Sequence, residues 1–96
     1  MKKFLSDFEE FCQTPGIESG AARSYAKAIE YLCEYLNITV LDSASIAYIK
    51  SIEKDIKNKN SMLYKDLLVF LSGRGQKSYL TKGWIRAGLN HFFEFV

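Results

Sequence analysis

Apolar side chains recur every three or four residues along almost the whole chain of 96 residues, and this spacing restricts the fold more than any other feature. Residues spaced in this way lie on one face of an α-helix, whereas strands alternate at every second residue. The chain also contains a single proline and six glycines, too few for the many turns of an all-β domain. The sequence therefore predicts an all-α protein.

The periodicity divides the chain into five helical stretches. We expect them at about 2–13, 19–36, 43–57 and 61–72, with a last helix that begins between Ser78 and Lys82 and runs to the end. Pro15 and Gly16 are expected to end the first helix. With no repeat or linker to divide it, the chain is predicted to form one domain over residues 1–96, a single compact bundle of four to five short helices.

Helix boundaries are indicated by residues that cap helix ends. Asn37 and Gly73 are expected at C-termini, and Asp42 and either Asn60 or Ser61 at N-termini. The short run from Ile38 to Leu41 is β-branched but has no second strand to pair with, so we interpret it as a buried connector.

The predicted core gathers the apolar residues of the inward helix faces. They are Phe4, Phe8, Phe11, Tyr25, Ile29, Leu32, Ile46, Ile49, Leu67, Phe70, Leu71, Trp84, Ile85, Leu89 and Phe92. The chain stays apolar up to Phe95 and Val96, although free termini are generally polar. This end predicts that the protein continues, or that its terminus docks on a partner or on a second copy.

Several classes of protein are disfavoured by what the sequence lacks. No run approaches the ~20 apolar residues of a membrane span, and no signal peptide follows Met1. Cys12 and Cys33 are therefore interpreted as buried thiols of a cytoplasmic protein. His91 is the only histidine and is expected to be a partly buried packing residue, so we predict no catalytic residue, no metal and no cofactor.

Charge is unevenly distributed, although the net charge is only +2. Residues 1–36 carry four basic and six acidic side chains, whereas the segment 74–86 is basic and contains no acid. Such a segment, with hydroxyls near an expected helix start, is typical of phosphate binding. The candidate contacts are Arg74, Lys77, Ser78, Tyr79, Lys82 and Arg86. A solubilising helix face beside a flexible turn is the alternative interpretation.

Three of these candidates have more specific expected roles. Lys82 and Arg86 are expected on one helical face because they are four residues apart. Tyr79 lies inside the basic segment and could stack on a base or sugar. A second, weaker basic patch comprises Arg23, Ser24 and Lys27 at the start of the second helix. The two patches could merge if the second and last helices lie side by side.

Two segments resemble a known family. The run from Ser24 to Leu32 is similar to the "S-Y-x-x-A-I-x-x-L" opening of small helical DNA-associated domains. The end of the chain, Ser78-Tyr79-Leu80 followed by the run from Ile85 to Phe95, resembles their closing "A-L-N-x-[YF]-x-x-F" helix. The chain thus resembles the SAM-like core-binding N-terminal domain of tyrosine recombinases and phage integrases. It also resembles helical N-terminal modules of restriction endonucleases.

This resemblance implies a four- to five-helix domain that binds duplex DNA while a separate attached domain carries out catalysis. It implies that Arg23, Ser24 and Lys27 match one contacting segment, and that Lys77, Ser78, Lys82 and Arg86 match the other. We therefore expect a non-enzymatic DNA-binding module, an accessory domain of a recombinase- or restriction-type protein. The alternative is a protein-interaction module or a small phage-encoded inhibitor that acts through its acidic residues Asp7, Glu9, Glu10, Glu18 and Glu30.

Overall fold

A computed structural model describes residues 1–13 and 19–96, and these residues form helices joined by short turns, with no strand among them. The all-α prediction is therefore confirmed. The helices, in chain order, are α1 (Lys2–Cys12), α2 (Ser19–Leu36), α3 (Ser43–Ser51), α4 (Glu53–Ile56), α5 (Met62–Gly73), α6 (Ser78–Thr81) and α7 (Trp84–Phe95). The predicted stop at Pro15 and Gly16 lies outside the described residues.

The described residues contain seven helices, so the predicted number of four to five is too low. Two predicted helices are each interrupted by a short break. The first break is at Ile52, whose backbone leaves the helical region (φ −104°, ψ 4°) between α3 and α4. There the Ser51 hydroxyl donates a 2.6 Å hydrogen bond to the Tyr48 carbonyl, a local bond that competes with the regular helical pattern. The second break, before α7, shapes the candidate site described below.

Both predicted N-caps are present in the structure. The Asp42 carboxylate accepts from the backbone N–H of Ser45 at 2.9 Å and starts α3. The Ser61 hydroxyl accepts from the N–H of Tyr64 at 3.0 Å and starts α5. Such caps stabilise a helix by about 1 kcal/mol because they satisfy N–H groups that have no partner within the helix.

Of the two residues predicted at helix C-termini, Asn37 of α2 is correct and Gly73 of α5 is wrong. Asn37 has a left-handed backbone (φ 58°), and the N–H of Ile38 donates to the Cys33 carbonyl at 2.9 Å. This pattern of bonds is a Schellman motif. Gly73 is instead the last residue of α5, and Gly75 takes the left-handed position (φ 70°).

Helix α2 occupies the centre of the fold, with α1 and α7 packed along it. Small residues on α2 allow this close approach: Ala22, Ala26 and Ala28 are all buried. On the opposite helix, Gly88 of α7 is buried against α2. The sequence analysis did not include these small residues in the core, because their contribution is close packing rather than a large apolar side chain.

The predicted core is largely correct. Nine of the predicted residues are fully buried, namely Phe8, Ile29, Leu32, Ile49, Leu67, Leu71, Ile85, Leu89 and Phe92. The other six are partly buried and pack against this cluster: Phe4, Phe11, Tyr25, Ile46, Phe70 and Trp84. Besides the small α2 residues, the prediction missed Cys12, Cys33, Leu41, Ile56 and Leu80. In the predicted connector, Leu41 is buried and Ile38 packs against the core, but Val40 is 60% exposed, so that prediction holds for the two ends and not for the middle.

The apolar C-terminal end of α7 packs against α1 of the same chain. The Phe95 ring lies 5.4 Å from Phe4, 5.6 Å from Phe8 and 5.2 Å from Phe11, measured between ring centroids. These distances are typical of favourable aromatic pairs. The contacts fasten the end of α7 to α1 and leave Val96 exposed.

Candidate nucleic-acid interface

The basic segment 74–86 does not form one surface, because its first part faces α2. The Arg74 guanidinium donates to the Glu34 carboxylate of α2 at 2.5 Å, and it also lies 4.7 Å from the centroid of the Phe70 ring. The side chain is half-exposed, so this pair contributes little to stability. It nevertheless offsets the charge of Arg74 and fixes its direction.

Tyr79 also faces α2. Its ring packs edge-on against the ring of Tyr31, with 5.0 Å between the centroids, and the residue is partly buried. A base could therefore stack on Tyr79 only at a face that this contact leaves free. Lys77 is exposed beside it, and Ser78 begins the four-residue helix α6.

Lys82 and Arg86 do not share a helix, contrary to the prediction from their spacing. Helix α6 ends at Thr81, and α7 begins at Trp84. Between them Gly83 adopts a left-handed conformation (φ 81°) that other residues enter only at a cost. The expectation of one continuous last helix is wrong because Gly83 permits this turn. Both Lys82 and Arg86 remain exposed.

Arg86 instead comes together with two lysines from the α4–α5 connection. Lys57, Lys59 and Arg86 line a cavity of about 100 Å³, which we call the basic pocket. Tyr64 and Thr81, two residues that carry hydroxyl groups, also line it. None of the described residues that line it is acidic.

The rest of the pocket is formed by backbone and by buried apolar groups. Ile56 and Leu80 line the pocket and are almost inaccessible, so they form its floor. Gly83 lines it as well and is the N-cap residue of α7. Glycine has no side chain to cap the first N–H groups of the helix, so the positive end of the α7 dipole is not offset by Gly83.

Lys57 is fixed in place by two hydrogen bonds. Its ammonium donates to Glu53 at 2.8 Å and to Asn90 of α7 at 2.7 Å, and 19% of its side chain is exposed. Lys50 also donates to Glu53, at 3.0 Å. The hydrogen bond from Lys57, with that from Lys50, lowers the pKa of the Glu53 carboxyl below its usual value of 4.5. This network joins α4 to α7 and so holds one wall of the pocket against the other.

Lys59 is presented by a tight polar turn. The Asn58 side chain accepts from the N–H of Asn60 at 3.0 Å, and the N–H of Ser61 donates to the Asn58 carbonyl at 2.9 Å. The Ser61 hydroxyl also donates to the Asp55 carbonyl at 2.6 Å. These bonds hold the backbone on both sides of Lys59.

Lys57 and Lys59 were not among the candidate contacts expected from the sequence, and no local pattern singles them out. Lys57 reaches Asn90 across 33 residues of sequence. Only tertiary contacts such as this hydrogen bond bring these lysines to Arg86.

The second basic patch faces another cavity. Arg23 and Lys27 line a groove of about 710 Å³ between α1 and α2, together with Glu9, Glu10 and Glu30. Lys27 is paired with Glu30 at 3.1 Å, and this hydrogen bond raises the pKa of the lysine. The groove therefore has mixed charge rather than a basic surface.

Ser24 bonds within its own helix, and residues of the two basic patches line different cavities. The Ser24 hydroxyl donates to the Gly20 carbonyl at 3.1 Å, within its own helix. Helices α2 and α7 do lie side by side, since the Tyr25 ring lies 5.9 Å from Trp84 and 4.8 Å from His91. However, Arg86 of the first patch and Arg23 and Lys27 of the second line separate cavities.

The chain matches no known family, and no curated protein or solved structure shows significant similarity to it. Across residues 1–13 and 19–96, no helix combines the length and the apolar character needed to cross a membrane. The same residues contain no group of three or more metal-ligating side chains. Any functional conclusion therefore depends on the geometry of the molecule itself.

The remaining titratable groups are mostly used in packing or in local pairs. His91 is partly buried against Tyr25, as expected, and its Nδ1 lies 4.0 Å from the Glu94 carboxylate. Cys12 and Cys33 are free and buried, and desolvation raises the pKa of each thiol to about 11. Thiols with such a pKa stay protonated and are poor nucleophiles at neutral pH.

Proposed function

We propose that this protein is a non-enzymatic module that binds the phosphates of duplex DNA. The observation that carries this proposal is the basic pocket, where Lys57, Lys59 and Arg86 converge with no acidic residue in the lining. Positive side chains grouped in this way are what binding to the phosphate backbone requires. Lys82 is exposed immediately beside Gly83 and extends the basic surface.

The contact surface proposed here differs from the one expected from sequence. Lys59, Lys77, Lys82 and Arg86 are exposed and make no ion pair within residues 1–13 and 19–96. Arg74 and Lys27, in contrast, are each paired with a glutamate, and so is Lys57, which therefore serves mainly to hold the pocket together. The DNA-binding role is therefore assigned to the α6–α7 corner and the α4–α5 turn, with Arg23 and Ser24 outside it.

The resemblance to the SAM-like core-binding domains of integrases supports an accessory role beside an attached catalytic domain. The all-helical fold agrees with that resemblance at the level of fold class. The free thiols of Cys12 and Cys33 suit the reducing cytoplasm, where such proteins would meet DNA. Exposed Val96 is the group through which the C-terminus would contact a partner or a second copy.

Fluorescence anisotropy with a random-sequence DNA duplex tests this function. Four phosphate contacts predict that affinity falls with salt at a log–log slope of about −3 to −4. The double variant Lys59→Gln/Arg86→Gln should weaken binding and reduce the slope by about 2. Its matched control is Lys54→Gln/Lys65→Gln, which removes the same charge from exposed positions outside the pocket.

The results separate the two candidate functions. Circular dichroism confirms that each variant is folded before its binding is compared. Binding that is weakened equally by both double variants would reflect net charge alone and would contradict the proposed surface. Absence of binding even at low salt would favour the alternative, a protein-interaction module acting through acidic residues. In the structure two of those residues, Asp7 and Glu30, already pair with lysines.

A further inference from the structure

The size of the basic pocket restricts what it can hold. Its volume is about 100 Å³. This space admits several water-sized groups, which is enough for one tetrahedral phosphate group.

The charge around the pocket suits an anion with two negative charges. Lys57, Lys59 and Arg86 supply three positive charges to the lining. If the Glu53 carboxylate, which is bonded to Lys57, is counted in full, two positive charges remain. A phosphate monoester carries about −1.5 to −2 at pH 7 and has three free oxygens, whereas a phosphodiester within a strand carries one charge. The monoester matches the pocket more closely.

The remaining lining groups suit the oxygens of such an anion. Arg86 carries a planar set of N–H donors, and the lining residues Tyr64 and Thr81 each carry a hydroxyl group, which is a hydrogen-bond donor. The floor formed by Ile56 and Leu80 is apolar and nearly inaccessible, so little water can compete from below. The hydrogen bonds from Lys59 and Arg86 to such an anion would be charge-assisted and so stronger than those between neutral groups.

From this size, charge and donor set we propose that the basic pocket binds a terminal phosphate monoester, so that the protein prefers DNA ends that carry a phosphate. This inference rests on the proposed DNA-binding function and names the part of DNA that its central site recognises. Exposed Lys77 and Lys82 would then contact phosphates further along the strand.

The first experiment follows backbone amide signals by NMR while inorganic phosphate is added at constant ionic strength. We expect saturable shifts at Thr81, Gly83 and Arg86, and none at the exposed Lys65 of α5. The Arg86→Gln variant should bind phosphate about 10-fold more weakly, and Lys65→Gln should be unchanged. Shifts that do not saturate, or that are spread over the whole surface, would overturn the proposal.

The second experiment compares two duplexes that differ only in having a phosphate or a hydroxyl at their 5′ ends. We expect the phosphorylated duplex to bind about 10-fold more tightly, and the preference to disappear in Arg86→Gln but not in Lys65→Gln. Equal affinity for the two duplexes would overturn the end preference and leave the proposed DNA-binding function standing. Saturable phosphate shifts without binding of either duplex would overturn the DNA-binding function and retain the pocket as a phosphate-monoester site.

Discussion

Gly88 on α7 lies against the backbone of Tyr25 on α2, so closely that a Cβ at Gly88 would come 3.3 Å from the Tyr25 carbonyl oxygen. The same Cβ would lie 3.5 Å from the Cβ of Ala28. Both neighbours belong to α2, where the helical hydrogen bonds resist movement. This contact sets the distance between the two central helices, and through α7 it fixes where Arg86 and Asn90 lie.

A larger side chain at Gly88 should force α2 and α7 apart. We expect Gly88→Val to lower the free energy of unfolding by about 1–3 kcal/mol, the usual cost of overpacking a tight interface. Urea unfolding followed by circular dichroism measures this change. Gly20→Val is the matched control, because nothing lies within 4 Å of a Cβ at that exposed helical position. If both variants lose the same stability, close packing is not the role of Gly88.

The turn at Gly83 depends on its left-handed backbone. Gly83 has a φ of 81°, and no atom lies within 4 Å of a Cβ built there, so a substitution would be strained rather than sterically blocked. Gly83→Ala should therefore lower the free energy of unfolding by about 1–2 kcal/mol, and Gly83→Asn by less, since asparagine tolerates this conformation. Thermal unfolding distinguishes the two. Equal losses would show that the left-handed conformation is not what requires glycine.

Replacing Arg74 with glutamine should affect mainly stability, whereas replacing Arg86 with glutamine should affect mainly DNA binding. Arg74 pairs with Glu34 and lies over Phe70, so Arg74→Gln should cost up to about 1 kcal/mol of stability and change DNA affinity little. Arg86 is exposed and lines the basic pocket, so Arg86→Gln should weaken DNA binding and leave stability nearly unchanged. Anisotropy and urea titrations measure both properties. Equal weakening of DNA binding would restore Arg74 as a contact residue.

Stability should fall in acid partly because of Glu53. Its hydrogen bonds to Lys57 and Lys50 hold its pKa below 4.5 in the folded protein. A lowered pKa contributes stability that is fully present above the unfolded value and is lost as the pH falls through the folded value. The Glu53→Gln variant should therefore lose less stability than the wild type between about pH 5 and pH 3.

Urea unfolding at several pH values tests the role of Glu53. Glu10→Gln serves as the control, because Glu10 is exposed and makes no ion pair within residues 1–13 and 19–96. If Glu53→Gln lost as much unfolding free energy in acid as the wild type, the network with Lys57 would not contribute to the acid dependence of stability.

The sequence by itself determined the helical class, most of the core and three of the helix caps. These features are local, because the spacing of apolar residues and the chemistry of Asn37, Asp42 and Ser61 act within a few residues of the chain. The positions of the helix breaks were harder to predict. A break such as that at Gly83 becomes stable only when the two helices it joins can pack in different directions.

The candidate site was decided by the tertiary structure. Lys57 and Lys59 meet Arg86 because the end of α4 is hydrogen-bonded to α7 through Lys57 and Asn90, and Arg74 is removed from the basic surface because Glu34 of α2 lies within reach of it. Such contacts join residues far apart in the chain, and the spacing of apolar residues does not predict them. The basic segment was visible in the sequence, but the side chains that form a pocket with it were determined by the packing of the core.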